Sequence, residues 1–300
     1  MAAGFFKIHK NILKSEIKFH ILKRNFCILK FKVMNGKMRG AFMSTEDVRG
    51  GLNNSVAKAI ALLNCFSDIQ PRLRLKELST MANINQATAY RMLMTLKESN
   101  LIEHHDGYYS LGRGFLKYEN IVLNSMEIRR IALPYLEELS HNLRVNVNLA
   151  ILNDREVLYI ARAETHYCTY GYFHIGMRRP IHCTALGKVL TCKNPDIARE
   201  CFKNGVLQCT LNTITDEAVF LQEIEKVRLQ GYAVDAEEWS NGINCIAAPI
   251  LDTAGDVVAG ISISGPTSIY PAEKIRSYVP VLIEYSHRIS SHIRARGNCR

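Results

Sequence analysis

Three consecutive segments between residues 54 and 100 repeat apolar positions with helical spacing. The first, NSVAKAIALLNCFSD, places Val56, Ile60, Leu63 and Phe66 on one face, which is typical of an amphipathic helix. LRLKELSTMANI predicts a short second helix, and NQATAYRMLMTLKESN predicts a third. The third helix has one apolar stripe that we expect to be buried, formed by Ala89, Met92, Leu93 and Leu96.

A hairpin signal follows directly after the third predicted helix. In LIEHHDGYYSLG, the pair Asp106-Gly107 separates two short β-like runs, and this pair favours a two-residue hairpin turn. Three short helices followed by a hairpin are typical of a winged helix-turn-helix, which binds DNA. A small helical bundle used for protein contacts is the alternative, because residues 53–113 carry a net charge of only about +2.

The start of the third helix carries side chains that suit the major groove of DNA. Amide side chains pair with adenine, arginine pairs with guanine, and a threonine methyl contacts the thymine methyl. We therefore expect Gln86, Thr88 and Arg91 to read bases, with Asn85 and Tyr90 in support.

The chain from residue 115 predicts a helical connector and then a domain with strands. FLKYENIVLNSMEIRRIALPYLEELSHNL predicts helices interrupted near Asn124-Ser125 and kinked or restarted near Pro134. Beyond residue 145 the apolar period shortens towards two, which predicts strands at 168–176, 232–235, 243–251 and 257–264 and a hairpin formed by VNVNLAIL and EVLYIARA. Helices are expected at TALGKVLTC, PDIARECFK, 215–231 and 271–295, so this part predicts one sensor domain of α/β or α+β class.

Three of these segments together resemble the isocitrate-lyase-regulator (IclR) family of bacterial transcription regulators. They are NSVAKAIALLNCF, LKELSTMANINQATAYRMLMTLKESNLIEHHDGYYSLG and GYAVDAEEWSNGINCIAAPILDTAGDVVAGISISGP, and the resemblance covers roughly residues 53–295. It implies an α+β two-domain protein: a winged helix-turn-helix at 53–114, a helical linker at 115–128 and a GAF-like α/β effector-binding domain at 129–300. It also implies a homodimer or tetramer on double-stranded, pseudo-palindromic operator DNA.

Composition and charge narrow the classes of protein to which this chain could belong. Residues 1–42 hold ten Lys and Arg and one acid, Glu16, so they account for nine of the ten net positive charges. We interpret this segment as translated upstream sequence outside the fold, with a basic amphipathic arm as the alternative. The longest apolar runs fall short of the ~18–20 residues that a membrane span needs, and nine cysteines without a C-x-x-C predict reduced thiols in a cytoplasmic protein.

The acids in GYAVDAEEWSNG raise the question of catalysis or metal binding. Asp235 and Glu237 would share a face only if the strand continued that far, and the Asn-Gly turn argues against it. Asp235, Cys245, His182 and Cys183 match no metal-ligand spacing. We therefore expect no catalytic residues, no metal and no cofactor; an enzyme with a helical regulatory head is the rival class. Glu237 and Glu238 are expected in a solvated turn or an ion pair within the domain.

A binding pocket explains the remaining polar residues better. Ser262 and Ser264 lie two apart on a predicted strand and so share a face, which we expect to be opposite Cys245. The predicted helix after His182 offers backbone N–H groups that attract carboxylates. The family resemblance implies that a small carboxylate effector, an organic or sugar acid, contacts a set of six residues: Ala185, Leu186, Asp235, Cys245, Ser262 and Ser264. Some relatives have glycine at the position of Ala185. Repression is the commoner outcome in the family, and activation is the alternative.

Deleting residues 1–42 should leave the preference for operator over unrelated DNA unchanged, because the expected base-reading residues lie at 85–91. If the segment is a basic arm that contacts DNA, the deletion also lowers the affinity and flattens its dependence on salt. Filter retention at several salt concentrations measures both quantities. A loss of sequence preference on deletion would contradict this expectation.

Overall fold

The computed structural model of the protein describes residues 53–165, 173–203 and 205–297. These residues divide into two compact units, with the division between Ser125 and Met126. The basic segment 1–42 and most of the predicted strand 168–176 lie outside the described residues. The linker expected at 115–128 therefore spans the division between the two units.

The first unit consists of helices around a small antiparallel sheet. Its elements are α1 (Asn54–Leu63), β1 (Leu73–Arg74), α2 (Leu75–Met81), α3 (Gln86–Glu98), β2 (Ile102–His105), β3 (Tyr108–Leu111) and α4 (Phe115–Ser125). The strands follow the order β1-β3-β2, and all pairs are antiparallel. A core of apolar residues, including Leu78 and Ile102, lies between the helices and the sheet. This is the predicted winged helix-turn-helix.

The wing forms because its turn residues accept a left-handed backbone. Asp106 has φ of +52° and Gly107 has φ of +77°. A two-residue hairpin of this type requires positive φ at both central positions, and Asp-Gly is among the pairs that supply it most readily. The turn fixes the register so that Glu103 lies opposite Ser110. The hairpin predicted from the sequence is confirmed.

The buried face of α3 follows its predicted stripe: Ala89 and Leu93 are fully buried. The helix predicted for the first segment is confirmed as α1. Its apolar face is buried only towards the C-terminal end, where Leu62 and the following Phe66 belong to the core and Leu63 packs against it. Val56 and Ile60 are 55% and 47% exposed, because this part of the helix does not reach the core of its own unit.

The second unit is a six-stranded antiparallel sheet with helices on both faces. Its elements are α5 (Glu127–Leu143), β4 (Asn146–Asn153), β5 (Glu156–Ala163), β6 (Arg178–Pro180), α6 (Ala185–Thr191), α7 (Pro195–Phe202), α8 (Glu217–Gln230), β7 (Ala233–Ala236), β8 (Ile243–Leu251), β9 (Val257–Pro266), α9 (Ala272–Ser277) and α10 (Val279–Gly297). The strands follow the order β6-β5-β4-β9-β8-β7. Helices α5, α9 and α10 cover one face around Ile261 and Ile263, while α6 and α8 cover the other around Ala247. The α+β class is confirmed.

Two prolines determine how the helices of this unit run. Pro134 lies inside α5 without ending it, so of the two alternatives for this position the restart does not occur. The neighbouring Leu136 and Leu139 are fully buried and hold the helix against the sheet. The predicted helix 271–295 is instead two helices separated at Tyr278, because Pro280 has no N–H to donate to the preceding turn. Among the described residues, no helix is long and apolar enough to cross a membrane.

Gly187 brings α6 unusually close to the chain that precedes it. A Cβ atom at position 187 would lie 2.5 Å from the Cα of Ile181 and would overlap the Ile181 carbonyl oxygen. Both obstacles are backbone atoms, so neither can rotate away. Only glycine allows this approach, which places the start of α6 directly over the sheet.

Gly187→Ala should destabilise the protein by about 3 kcal/mol, because α6 or the chain at Ile181 must move. Gly231→Ala is the control: Gly231 ends α8 with φ of +79° and open space around its Cα, so it should cost only about 1 kcal/mol. Urea unfolding of both variants gives the two free energies. Equal losses in the two variants would contradict the role assigned to the close approach.

Candidate effector pocket and DNA-reading helix

A pocket lies in the second unit between α6 and the sheet. The empty space among its lining atoms is about 350 Å³, a figure that counts the narrow gaps between atoms and the open solvent at the mouth. All six effector-binding residues predicted from the sequence line it, and they come from α6, β7, β8 and β9. The lining residues are Asn148, Tyr159, Phe173, Thr184, Ala185, Leu186, Asp235, Trp239, Ile243, Cys245, Ser262 and Ser264.

Strand register brings the polar residues of the pocket together. Cys245 pairs with Asp235 on one side and with Ser264 on the other, so three adjacent strands place these residues in one row. Ser262 lies on the same face of β9 and pairs with Asn148 of β4. Residues more than one hundred positions apart in sequence therefore meet in one site.

Asn148 is a site residue that the sequence analysis missed. Its side-chain Nδ2 donates to the hydroxyl oxygens of Ser264 at 3.1 Å and Ser262 at 3.4 Å. The signal was the segment VNVNL, in which Asn146 and Asn148 share one face of an otherwise apolar strand. Buried polar residues on a strand need partners, so this alternation marked a polar cluster.

The start of α6 offers backbone donors to the pocket. Thr184 caps the helix: its hydroxyl accepts the Gly187 N–H at 3.0 Å and donates to the Pro180 carbonyl at 2.9 Å. The N–H groups of Ala185 and Leu186 belong to the first turn, where helix geometry provides no acceptor within the helix. Every residue of α6 is buried, so the orientation of these groups is fixed by packing.

Asp235 is the acid of the pocket, and its surroundings favour the protonated form. The side chain is 3% exposed. Burial and then the charge of Glu238 raise the pKa of Asp235 to about 7, although the Glu238 N–H donates to its carboxylate at 2.7 Å. Cys245 lies opposite Asp235 in the strand register, and burial raises the pKa of its thiol, so the thiol stays protonated.

Glu238 forms a buried ion pair with Lys188 of α6. The distance from Nζ to Oε1 is 2.6 Å, and the Lys188 side chain is 1% exposed. Lys188 also donates to the Val234 carbonyl at 2.8 Å. Of the two expectations for the acid pair, the solvated turn is wrong for Glu238 and the ion pair is right. Glu237 closes the turn instead, with φ of +60° and its carboxylate accepting the Gly242 N–H.

Aromatic residues complete the pocket wall, and the sequence analysis assigned none of them. The Trp239 ring stacks under the Arg179 guanidinium at 4.6 Å, which orients the indole beside Asp235. Tyr159 and Phe173 contact each other with ring centroids 5.4 Å apart. Burial raises the pKa of Tyr159, so its hydroxyl stays protonated. Their spacing in the sequence gave no signal, because Phe173 and Trp239 come from connecting segments.

The acids of the turn and His182 have partners within the protein. Strand β7 ends at Ala236, so Glu237 does not share a face with Asp235. His182 donates from Nε2 to the Leu207 carbonyl at 2.9 Å, and burial lowers its pKa, as suits a structural histidine. No cluster of three or more potential metal ligands occurs in the described part of the chain.

The first turns of α3 present the residues expected to contact DNA. Gln86, Tyr90 and Arg91 are exposed, and Thr88 is half-buried. Asn85 caps the helix, with its Oδ1 accepting the Ala87 N–H at 2.9 Å, so only its amide N–H groups remain for a partner. Arg91 lies on the face opposite the buried Ala89 and Leu93, whereas Gln86 is exposed because it belongs to the first turn of the helix.

A winged helix-turn-helix together with a ligand pocket in a separate domain defines the class of effector-responsive DNA-binding regulators. The family model "Bacterial transcriptional regulator IclR C-terminal" matches residues 120–291, and "IclR helix-turn-helix domain" matches residues 55–106. The chain therefore belongs to the IclR family and is a DNA-binding transcription regulator whose DNA binding is modulated by an effector.

Relatives and solved structures agree with this assignment. The chain is 31% identical over 245 residues to the transcriptional regulator KdgR of Escherichia coli (80% of this chain, 92% of the relative). It is 30% identical over 247 residues to the p-hydroxybenzoate hydroxylase transcriptional activator of Acinetobacter baylyi (79% and 89%). A putative regulator from Rhodococcus superposes with a TM-score of 0.72 at 29% identity (81% and 98%). An IclR homologue from Microbacterium hydrocarbonoxydans complexed with 4-hydroxybenzoate superposes at 0.70 and 23% identity (81% and 100%).

Asp235→Asn should change how stability depends on pH. The pKa of Asp235 is about 7 in the folded protein and 3.8 as the ordinary value, so the folded state keeps a proton that the unfolded state loses between these values. Stability from this group is full below pH ~4 and is lost as the pH rises through 7, by up to about 1.4 kcal/mol per pH unit.

Asparagine cannot ionise and keeps the acceptor for the Glu238 N–H. Relative to the wild type, the variant should therefore gain about 3 kcal/mol of unfolding free energy between pH 5 and pH 8. Urea unfolding at the two pH values measures this gain. An unchanged difference between the two proteins would mean that Asp235 is ionised throughout.

Proposed function

We propose that this protein is a repressor that binds a pseudo-palindromic operator and responds to a small organic-acid or sugar-acid effector in the pocket beside α6. The observation that carries the proposal is the convergence of the six residues on one largely apolar pocket that contains several buried polar groups. A domain used only for packing would fill this space with apolar side chains, because buried polar groups cost free energy unless they are paired.

The groups of the pocket suit a carboxylate. The N–H groups of Ala185 and Leu186, the hydroxyls of Ser262 and Ser264 and the thiol of Cys245 are hydrogen-bond donors, and carboxylates are acceptors. Asp235 adds no full negative charge while it is protonated, and its raised pKa favours that state. The similar Microbacterium protein, whose structure holds 4-hydroxybenzoate, supports an acid as the ligand class.

Gln86, Thr88 and Arg91 read bases in the major groove, and Asn85 and Tyr90 support them. Exposure of Gln86 and Arg91 on the first turns of α3 supports these roles. The sign of regulation depends on which state binds DNA more tightly, because an effector shifts the equilibrium between states only through its differential affinity. Repression is the outcome that we favour; the activator among the similar proteins makes activation the second candidate.

A homodimer or tetramer is the binding form. Helix α4 has no buried residue in its own unit, and it exposes Leu116, Tyr118, Ile121 and Val122 by half or more. A second copy of the chain would cover these residues and would match the two-fold symmetry of a pseudo-palindromic operator. Since operator DNA lies in the bacterial cytoplasm, we place the protein there.

The protein acts as a regulator and not as an enzyme. Hydrolysis by paired carboxylates needs a second free acid near Asp235. Glu238 is held by Lys188, and the Glu237 carboxylate is turned to the Gly242 N–H. The acids of this turn therefore build the pocket, and we assign them no chemistry.

Arg91→Ala should lower the preference for operator over a scrambled duplex about tenfold or more, because arginine pairs bidentately with guanine. The operator is obtained first, by selecting the genomic fragments that the purified protein retains. Lys97→Ala is the control on the same helix; its exposed charge suits a phosphate, so the loss should be equal on both duplexes. Competition retention of the selected fragment measures the preference. Unchanged retention by the Arg91 variant would favour a protein-interaction bundle instead.

A further inference from the structure

We propose that Asn148 contacts the effector and selects an acid that carries a hydroxyl group, so that a hydroxy acid binds in preference to the matching keto acid. The inference rests on the proposed function, because it concerns the ligand of the same pocket. Beyond the proposed function, the inference adds Asn148 to the residues that contact the effector. It also requires that the ligand donate a hydrogen bond to the Oδ1 atom of Asn148.

Only one of the two polar groups of the Asn148 amide has hydrogen-bond partners in the protein. Its side chain is 1% exposed and lines the pocket. Nδ2 donates to the two serine hydroxyls of β9, whereas Oδ1 accepts no hydrogen bond from any residue in the described ranges. An unpaired buried acceptor of this kind destabilises the protein, because it has lost its hydrogen bonds to water and gained none in return. A ligand that supplies the missing donor recovers part of that free energy on binding.

The direction of the amide follows from the groups around it. With Nδ2 directed at β9, both serine hydroxyls act as acceptors for Asn148 and keep their own protons for a ligand carboxylate. In the reverse orientation both hydroxyl protons would point at Asn148, and the serines would present lone pairs to an acid. The orientation with Oδ1 turned away from β9 therefore fits an anionic ligand, and it directs Oδ1 towards the side of β4 where Tyr159 of β5 lines the pocket.

A keto oxygen and a hydroxyl differ in whether they can donate a hydrogen bond to the Oδ1 atom of Asn148. A keto oxygen only accepts hydrogen bonds, so it would place a second acceptor against Oδ1. A hydroxyl donates to Oδ1 and still accepts from a neighbouring donor. Sites built to bind a hydroxyl reject analogues that lack it, because the buried partner is left unpaired.

Asn146 provides a matched control on the same strand. It is also 1% exposed and lies two residues away on the same face of β4. Its Oδ1 accepts the Thr165 N–H at 3.2 Å, and it does not line the pocket. Replacing Asn146 removes an equally buried amide without removing the acceptor that faces the ligand.

The experiment uses the full chain and three matched sets of acids: both lactate enantiomers with pyruvate and propionate, D-gluconate with 2-ketogluconate, and 4-hydroxybenzoate with benzoate. Calorimetry gives Kd for each acid with the wild type, Asn148→Ala and Asn146→Ala. We expect the hydroxy acid of the set that binds to be favoured about tenfold over its keto or unsubstituted partner, equivalent to ~1.4 kcal/mol. Asn148→Ala should reduce that ratio to near unity, and Asn146→Ala should preserve it.

Equal or tighter binding of the keto acid by the wild type would overturn the inference, and this readout needs no variant. The same loss of selectivity in both asparagine variants would also overturn it, because the effect would then be structural. If the acids bind but hydroxy acids are not preferred, the proposed organic-acid effector still stands, and only the role of Asn148 is contradicted. If none of the acids binds, the proposed effector class fails, and the inference fails with it.

Discussion

The buried ion pair between Lys188 and Glu238 joins the two walls of the pocket. Lys188 belongs to α6, and Glu238 follows β7, so one contact of 2.6 Å fixes the helix against the end of the strand that carries Asp235 and against the turn that carries Trp239. Loss of either partner would leave an uncompensated buried charge, which is strongly destabilising. The pair also acts on the electrostatics of the site, because the charge of Glu238 raises the pKa of Asp235 while the charge of Lys188 lowers it. Position and charge in the pocket thus depend on the same contact.

Local sequence patterns predicted the first unit well, because its turns and helices depend on residues that are close together in the sequence. The Asp106-Gly107 turn and the stripe through Ala89 and Leu93 each depend on residues a few positions apart. Tertiary contacts decide what these patterns left open. Pro134 stays within a continuous helix because that helix packs on the sheet. The apolar face of α1 is buried only towards its C-terminal end, because the part around Val56 does not reach the core of its own unit.

Some residues of the pocket could be predicted from the sequence, and there is a physical reason why others could not. Alternation along β9 placed Ser262 and Ser264 on one face, but their neighbours depend on the strand order, which the sequence pattern does not contain. The assignment of Asp235 and the amides of α6 came from the family resemblance. Asn148 was missed because a polar residue in a strand is usually exposed, and only the packing of α6 over the sheet buries it.

The alternation of β9 makes strand register itself a determinant of the pocket. Ile261 and Ile263 face the core on one side of the sheet, while Ser262 and Ser264 face the pocket on the other. Because side chains alternate with a period of two, sliding this strand by a single residue would exchange the two pairs. Two hydroxyls would enter an apolar core, and two isoleucines would fill a space built for an acid. The polarity of the site is therefore a property of how β9 is aligned between β4 and β8, and any change that loosens this alignment removes the pocket without altering one of its residues.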